Sequence, residues 1–327
     1  MGKITVEHLP DMQKSVTGFY NKGIEKVGVR NIISYLPIQM KDGSVQKVLA
    51  TVSSYCSLDA NTKGINMSRI ARTINEVLAR QSSQDGFRDM KKFVQELVEA
   101  HQSPDVYIKA KFTLILDDKS PMTDTYSQEP VDIVVESQYR DHSYKTFLTV
   151  RSVEMSLCPC SREMSLLKNN LTKEERMWLQ AATNMPASLA AKLNMSGFGA
   201  HNQRSEIQTT VELLHDDKKE LWIEDIVNMI RTASSCPTKS VLKRPDEKYV
   251  TEVSYTGGYF DDNGQFNVVE NAGAKFVEDI SRDLAKQLDT QLDKTIADYV
   301  IVVNNQESIH SQSIMATSIL TAGRNLR

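Results

Sequence analysis

The sequence contains few cysteines, no long apolar run and almost no net charge. It has 4 cysteines and a net charge of −3, from 39 basic and 42 acidic side chains. This balance gives no indication of a nucleic-acid or anionic membrane partner. No run reaches the roughly 18 apolar residues of a membrane span, and the opening "MGKITVEHLP" lacks the apolar segment of a signal peptide. We therefore expect a cytoplasmic protein, and thiols that serve a metal or catalysis rather than structural disulfides.

The composition is that of a globular protein. Of 327 residues, 40% are hydrophobic and 25% are charged, and a chain of this length can form two domains of ordinary size.

The first half predicts the order β-β-α-α-β-β. Residues 31–58 form two β-rich runs around Asp42-Gly43, a strong hairpin signal. In the next segment, Ile70, Ile74, Val77 and Leu78 share one face of a helix. The predicted helices are 67–81 and 87–101, and the strands after them are 105–117 and 130–140.

The second half repeats this pattern more loosely. Antiparallel strands with helices in doublets indicate the α+β class, in two modules, 1–141 and 142–327. A helical insert is predicted at 164–198, where Thr172 and Glu175 form a capping box and Pro186 opens a second helix. The other predicted elements are strands 143–157, 205–214, 296–305 and 313–320, and helices 222–234, 245–252 and 274–292.

Two of the cysteines stand one residue apart, Cys158 and Cys160 in "MSLCPCSREMS". A disulfide, a metal site, a nucleophile and a buried pair are all compatible with this spacing. One intervening residue rarely lets both sulfurs reach one ion, and it would close a cramped disulfide ring.

Further residues that could bind metal or carry protons stand in polar segments downstream. Cys158, one or two histidines and a carboxylate would suit a divalent transition metal. Lys243 and Arg244 could bind phosphates. By pattern alone, Glu278 is a solvated charge on an amphipathic helix. The residues in these segments are His201, Cys236, Glu247, Glu278 and His310.

These segments, and two nearer the N-terminus, resemble the motifs of one family, the type IB GTP cyclohydrolases. They occur in the same order along the chain as in that family. The archaeal Fe(II)-dependent GTP cyclohydrolases of the same superfamily are a close alternative. The matching segments are "LPDMQ", "GINMSRI", "SLCPCSRE", "GAHNQRS", "KRPDEKYVTE", "KFVED" and "ESIHS".

The resemblance implies tandem tunnelling-fold modules. In this fold, sheets from neighbouring subunits close into a barrel and the active sites lie at subunit interfaces. The expected assembly is a homotetramer.

The resemblance also implies roles for individual residues. Cys158, His201 and Glu247 match metal-site positions for Mn, Zn or Fe(II), and His310 matches a second active-site histidine, near the metal or in proton transfer. Cys160 would lie near the reacting carbon. Glu278 matches the glutamate that anchors the purine base. The resemblance therefore gives Glu278 a binding role, in place of the solvated helix charge that the pattern alone indicates. Candidates for binding the triphosphate are Arg69, Arg204, Lys243 and Arg244.

The implied reaction is the metal-dependent hydrolytic opening of the imidazole ring of GTP, which releases formate and yields 7,8-dihydroneopterin triphosphate. Three alternatives remain: an Fe(II) enzyme that yields the cyclic phosphate, a non-catalytic purine- or pterin-binding protein, and a thiol redox protein. The chain departs from the family at Asn66, where many members carry histidine, and in the 164–198 insert.

Overall fold

The computed structural model describes residues 22–80, 90–101, 103–166, 171–181, 186–195, 199–214 and 221–323. Contacts between Cα atoms divide the chain into two units. The first comprises Met1–Thr113 and Val134–Phe147, and the second comprises Leu114–Ile133 and Leu148–Arg327.

The first unit begins with a β-hairpin and a pair of helices. The strands are β1 (Ile24–Gln39) and β2 (Val45–Leu58), which pair antiparallel. The turn forms as predicted, because Gly43 adopts φ +85° and the Asp42 carboxylate accepts the Ser44 N–H at 2.8 Å. Helices α1 (Met67–Arg80) and α2 (Met90–His101) pack together. Ile70, Ile74, Val77 and Leu78 are buried, which confirms the apolar face predicted for α1.

Three long strands follow, and each contributes residues to both units. They are β3 (Val106–Lys119), β4 (Tyr126–Arg140) and β5 (Ser143–Leu157). The strand order in the first unit is β1-β2-β3-β4-β5. The module boundary at 141/142 stays a prediction.

In the described residues between β5 and the next strand lie the helices α3 (Pro159–Leu166), α4 (Lys173–Ala181) and α5 (Ala187–Met195). The predicted capping box is present, since the Thr172 and Glu175 side chains each accept the other's backbone N–H, at 3.1 and 2.7 Å. The first helix begins before the predicted start of the insert, because Pro159 suits a first helical position. The expected helix end at Gly197 lies outside the described residues.

The rest of the second unit combines antiparallel strands with helices. Its strand order is β3-β4-β5-β6-β9-β10. Helix α8 packs on β9 and α6, so the paired helices are α6 and α8, while α7 contacts β7. The hairpin β7–β8 was not predicted. The elements are β6 (Asn202–Leu213), α6 (Ile223–Ala233), α7 (Arg244–Thr256), β7 (Gly258–Phe260), β8 (Phe266–Val268), α8 (Val277–Asp289), β9 (Ile296–Gln306) and β10 (Met315–Thr321).

Alternating burial along the strands explains where the core of the second unit lies. Ser205, Ile207 and Val211 of β6 and Ile301 and Val303 of β9 are buried, as are the inner faces of α6 and α8. The predicted α+β class with antiparallel sheets is confirmed. Among the described strands β10 is hydrogen-bonded to β9 alone, so the sheet is not closed into a barrel.

Candidate active site

Several of the predicted residues meet at one edge of the sheet in the second unit. Cys158 follows β5 directly, His201 immediately precedes β6, and His310 lies in the loop between β9 and β10. Strands β5, β6, β9 and β10 are neighbours in that order. Chain order and sheet topology therefore place all three residues at the same edge.

Cys158 and His201 are joined through the backbone. The Cys158 N–H donates to the His201 carbonyl oxygen at 3.3 Å. The half-buried Cys158 sulfur accepts the Ser161 N–H from the first turn of α3 at 3.5 Å. Cys160 lies in the same turn and is exposed. All four cysteines of the chain are described, and all are free thiols.

The loop after β9 contacts the His201 side chain. Ser308 Oγ lies 3.4 Å from His201 Nδ1, a contact that would leave Nε2 for another ligand. His310 is two residues further along and exposed, and its N–H donates to the Glu307 carbonyl at 3.5 Å.

The start of α8 reaches the same edge. The Lys275 N–H donates to the Leu157 carbonyl at 3.1 Å, and Ser156 Oγ donates to the Lys275 carbonyl at 3.1 Å. Glu278 is exposed in the first turn of α8. Asp279 begins the helix by accepting the Phe276 N–H at 3.0 Å, so the Glu278 carboxylate is not used as the cap.

Glu247 is not brought to Cys158 and His201. It is exposed in the first turn of α7. Tyr255, on the same helix, contacts the residue before His201, and eight residues of α-helix span about 12 Å. Within the described part of the chain, no three His, Cys, Asp or Glu side chains form a group that could hold a metal ion.

Lys243 and Arg244 are exposed at the beginning of α7. The neighbouring Asp246 is fully buried and caps the helix by accepting the Lys243 N–H at 2.9 Å. It also accepts the N–H groups of Met122 and Thr123, at 2.9 and 3.0 Å, and the Thr123 hydroxyl at 2.7 Å. Asp246 therefore fixes the helix that presents Lys243, Arg244 and Glu247.

Arg69 has a structural partner within the first unit. Its guanidinium donates to the Ala100 carbonyl at the end of α2, at 3.4 Å. Asn66 caps α1, since its Oδ1 accepts the Arg69 N–H at 3.1 Å and the Ser68 hydroxyl at 2.7 Å. Asn66, at which the chain departs from the family, therefore acts as the N-cap of α1.

A cavity of about 650 Å³ opens at the sheet edge of the second unit, a volume within the usual range for small-molecule sites. Arg204 is one of its lining residues. The others are Glu154, Met155, Asn202, Gln203, Thr238, Gln306, Glu307, Ser308, Ser313, Ile314 and Met315.

Glu154 is a residue of this cavity that the sequence analysis missed. It is 2% exposed and accepts the Ser152 hydroxyl and the Thr238 N–H, at 2.8 and 2.9 Å. Burial raises the pKa of Glu154, although these hydrogen bonds and Arg231 oppose the shift. Its alternation with the buried Leu148 and Val150 was a signal, because a charge in phase with core positions of a strand is unusual.

Comparison with known proteins identifies the family. The model of the family described as "Type I GTP cyclohydrolase folE2" matches residues 9–316. The GTP cyclohydrolase FolE2 of Magnetococcus marinus is 31% identical over 295 residues, which cover 90% of this chain and 89% of the relative. That of Paraburkholderia phymatum is 30% identical over 319 residues, which cover 98% of this chain and 97% of the relative. The chain belongs to the type I GTP cyclohydrolase FolE2 family.

Among solved structures, a uricase from Arthrobacter globiformis matches with a TM-score of 0.44 and 7% identity, over 91% of this chain and 92% of the uricase. Similarity this low supports no conclusion about this chain.

No helix in the described ranges has the length and apolar character needed to cross a membrane.

Proposed function

We propose that the chain is a type IB GTP cyclohydrolase. It opens the guanine imidazole ring of GTP by hydrolysis, releases C8 as formate and gives 7,8-dihydroneopterin triphosphate. Family membership supports the substrate. The observation that carries the proposal is the meeting of Cys158, His201, the loop of His310 and the start of α8 at one sheet edge.

Cys158 and His201 fit two ligands of a divalent ion. A half-buried thiol and an imidazole are donors that Zn or Fe(II) accepts, and Mn is a further candidate. Glu247 and His310 would supply the remaining ligands. A divalent ion, when bound, lowers the pKa of a coordinated water and so provides a nucleophile near neutral pH.

Glu278 orients the base in this proposal. A carboxylate can accept from both N1–H and the exocyclic amine of guanine, which favours guanine over adenine. Its exposed position in the first turn of α8 leaves both oxygens for a ligand. His310 transfers protons to and from the ring nitrogens, and Cys160 lies near C8.

Basic side chains hold the triphosphate. Arg204 lines the cavity, and Lys243 and Arg244 stand exposed at the helix N-terminus of α7, which favours anions. Arg69 is also a candidate by its place in the "GINMSRI" motif, although its guanidinium already bonds to Ala100.

A homotetramer completes the sites at its interfaces. Glu247 lies far along α7 from the contact with the His201 loop, so the carboxylate of a neighbouring subunit would complete the set. The edge strand β10 exposes Ile319 and has hydrogen-bonding groups left for another sheet. Tandem tunnelling-fold modules at 1–141 and 142–327 and a cytoplasmic location belong to the same proposal.

The test is incubation of metal-free protein with GTP and Mn(II), Fe(II), Zn(II) or Mg(II), followed by formate assay and product mass spectrometry. We expect formate and the triphosphate with at least one transition ion, and loss of both in Cys158→Ala. Cys56→Ala, which removes a buried thiol of the first unit whose sulfur donates to the Val27 carbonyl, serves as the matched control. A cyclic phosphate formed with Fe(II) would instead indicate the archaeal-type reaction. Tight GTP binding without formate under every ion would indicate a binding protein.

A further inference from the structure

The residue before His201 is held by one side chain of α7. The Ala200 N–H donates to the Tyr255 hydroxyl oxygen at 2.5 Å, and the same hydroxyl donates to the Ala200 carbonyl at 3.0 Å. One phenol therefore satisfies both backbone groups of Ala200. Two hydrogen bonds therefore fix the backbone of the residue that directly precedes His201.

The main chain of Tyr255 holds the helix that follows Cys158. Arg162 of α3 donates from its guanidinium to the Tyr255 carbonyl oxygen at 3.0 Å. Tyr255 lies in the last turn of α7, where carbonyls lack a partner within the helix and the helix dipole favours a cation. Arg162 is only 5% exposed, so this donor is positioned by burial as well as by the hydrogen bond.

Arg162 is also bonded directly to the site. Its N–H donates to the Cys158 carbonyl at 3.1 Å in the first turn of α3. With the bond between the Cys158 N–H and the His201 carbonyl, the contacts close a ring that runs from Cys158 through Arg162, Tyr255 and Ala200 to His201.

We propose that Tyr255 is a positioning residue that holds His201 in place relative to Cys158, with Arg162 as its counterpart on the Cys158 side. This inference rests on the proposed function, in which Cys158 and His201 belong to one metal site. In this proposal Tyr255 does not contact the substrate or the reacting atoms. It acts through the two backbone segments that present the ligands, and small losses of alignment reduce rates strongly.

The test uses Tyr255→Phe in the full chain, which removes one oxygen and keeps the ring. The matched control is Tyr249→Phe on the same helix, whose ring packs against Tyr259 in a tilted arrangement with centroids 4.8 Å apart. We expect Tyr255→Phe to lower Zn²⁺ affinity and the kcat of formate release by about 10–100-fold, as for other supports of metal ligands. The KM for GTP should stay close to wild type, and the Tm should fall by no more than about 2–4 °C, because the freed Ala200 groups are only part-buried. Tyr249→Phe should leave both close to wild type.

Two readouts separate positioning from a general effect on folding. Hydrogen exchange of the Ala200 amide should accelerate in Tyr255→Phe only, because that amide loses its acceptor. Arg162→Lys, which keeps the charge but changes the geometry, should also lower Zn²⁺ affinity. Wild-type exchange at Ala200 together with wild-type Zn²⁺ affinity in Tyr255→Phe would overturn the proposal. If wild-type protein released no formate with any ion, the proposed function would fail, whereas amide exchange and Zn²⁺ affinity would still decide the role of Tyr255.

Discussion

The backbone N–H of Cys158 donates a hydrogen bond to the carbonyl oxygen of His201 at 3.3 Å, although a three-helix segment separates the two residues in the chain. This hydrogen bond connects the residue after β5 to the residue before β6. In the proposed function, the side chains of this pair are two of the metal ligands.

The two cysteines near this bond should behave differently on substitution. Cys158 is half-buried and accepts the Ser161 amide, whereas Cys160 is exposed. We expect Cys158→Ser to lose bound transition metal and to reduce formate release by more than about 100-fold, since an alcohol is a much poorer ligand than a thiolate. Cys160→Ser should keep its metal. Elemental analysis of both proteins, with kcat for formate, distinguishes them; equal metal loss in the two variants would contradict the assignment.

Glu278→Gln tests recognition of the base. The carboxylate lies in the first turn of α8, while the adjacent Asp279 carries the capping hydrogen bond. A hydrogen bond to a charged group contributes about 1.5–3 kcal/mol, so kcat/KM for GTP should fall by about 10–100-fold. Asp279→Asn, the control, should lower the Tm while leaving the KM for GTP near wild type. If kcat/KM in Glu278→Gln equals that of wild type, Glu278 does not anchor guanine.

Local features of the fold were predictable because their signals lie within a few residues. The Asp42-Gly43 turn forms because Gly43 tolerates positive φ, and the Thr172–Glu175 capping box forms from paired side chains. The apolar face of α1 is buried because four apolar residues repeat with helical spacing.

The contacts that assemble the candidate site were not predictable in the same way. The hydrogen bond between Ala200 and Tyr255 joins residues that are 55 positions apart in the chain. Sheet pairing and helix packing bring them together, and no local sequence pattern encodes such a contact. Sequence motifs indicated the candidate residues, but not that Glu247 lies eight helical residues before the residue of α7 that contacts Ala200. The β7–β8 hairpin was missed because its strands have three residues each.

Asp246 should make the stability of the second unit depend on acid pH. Burial alone would raise the pKa of Asp246, but hydrogen bonds from the Thr123 hydroxyl and from the amides of Lys243, Met122 and Thr123 hold it well below its usual range. A depressed pKa in the folded state stabilises the protein above the unfolded pKa of about 3.9. That stabilisation is lost as the pH falls through the folded value.

Asp246→Asn should therefore lower the Tm at pH 7 by about 2–6 °C and should weaken its pH dependence below about pH 4. Thermal unfolding of both proteins between pH 7 and pH 3 measures this difference. The exposed Asp262 provides the control, and Asp262→Asn should follow the wild-type curve. A variant curve parallel to wild type down to pH 3 would show that Asp246 is not the source of the acid sensitivity.

Lys275 offers a test of how a buried cation supports the helix that carries Glu278. The side chain is 5% exposed; its Nζ donates to the Ala233 carbonyl at 2.9 Å and pairs with Asp283 at 2.7 Å. Burial lowers the pKa of Lys275, and the hydrogen bond and charge of Asp283 oppose that shift. Lys275→Met keeps similar volume but leaves the Ala233 carbonyl without this donor.

We expect Lys275→Met to reduce the free energy of unfolding by about 1–3 kcal/mol, the usual cost of an unsatisfied buried group. The loss should be smaller than the 3–5 kcal/mol typical of breaking a fully buried ion pair, because Asp283 is 37% exposed and stays hydrated. Urea unfolding measures it, with Lys286→Met on the exposed face of α8 as the control, expected within about 0.5 kcal/mol of wild type. A Lys275→Met protein as stable as wild type would show that desolvation of the ammonium group cancels its contacts. The hydrogen bonds of the Lys275 N–H and carbonyl to Leu157 and to the Ser156 hydroxyl would then hold this residue, together with the Asp279 cap of α8.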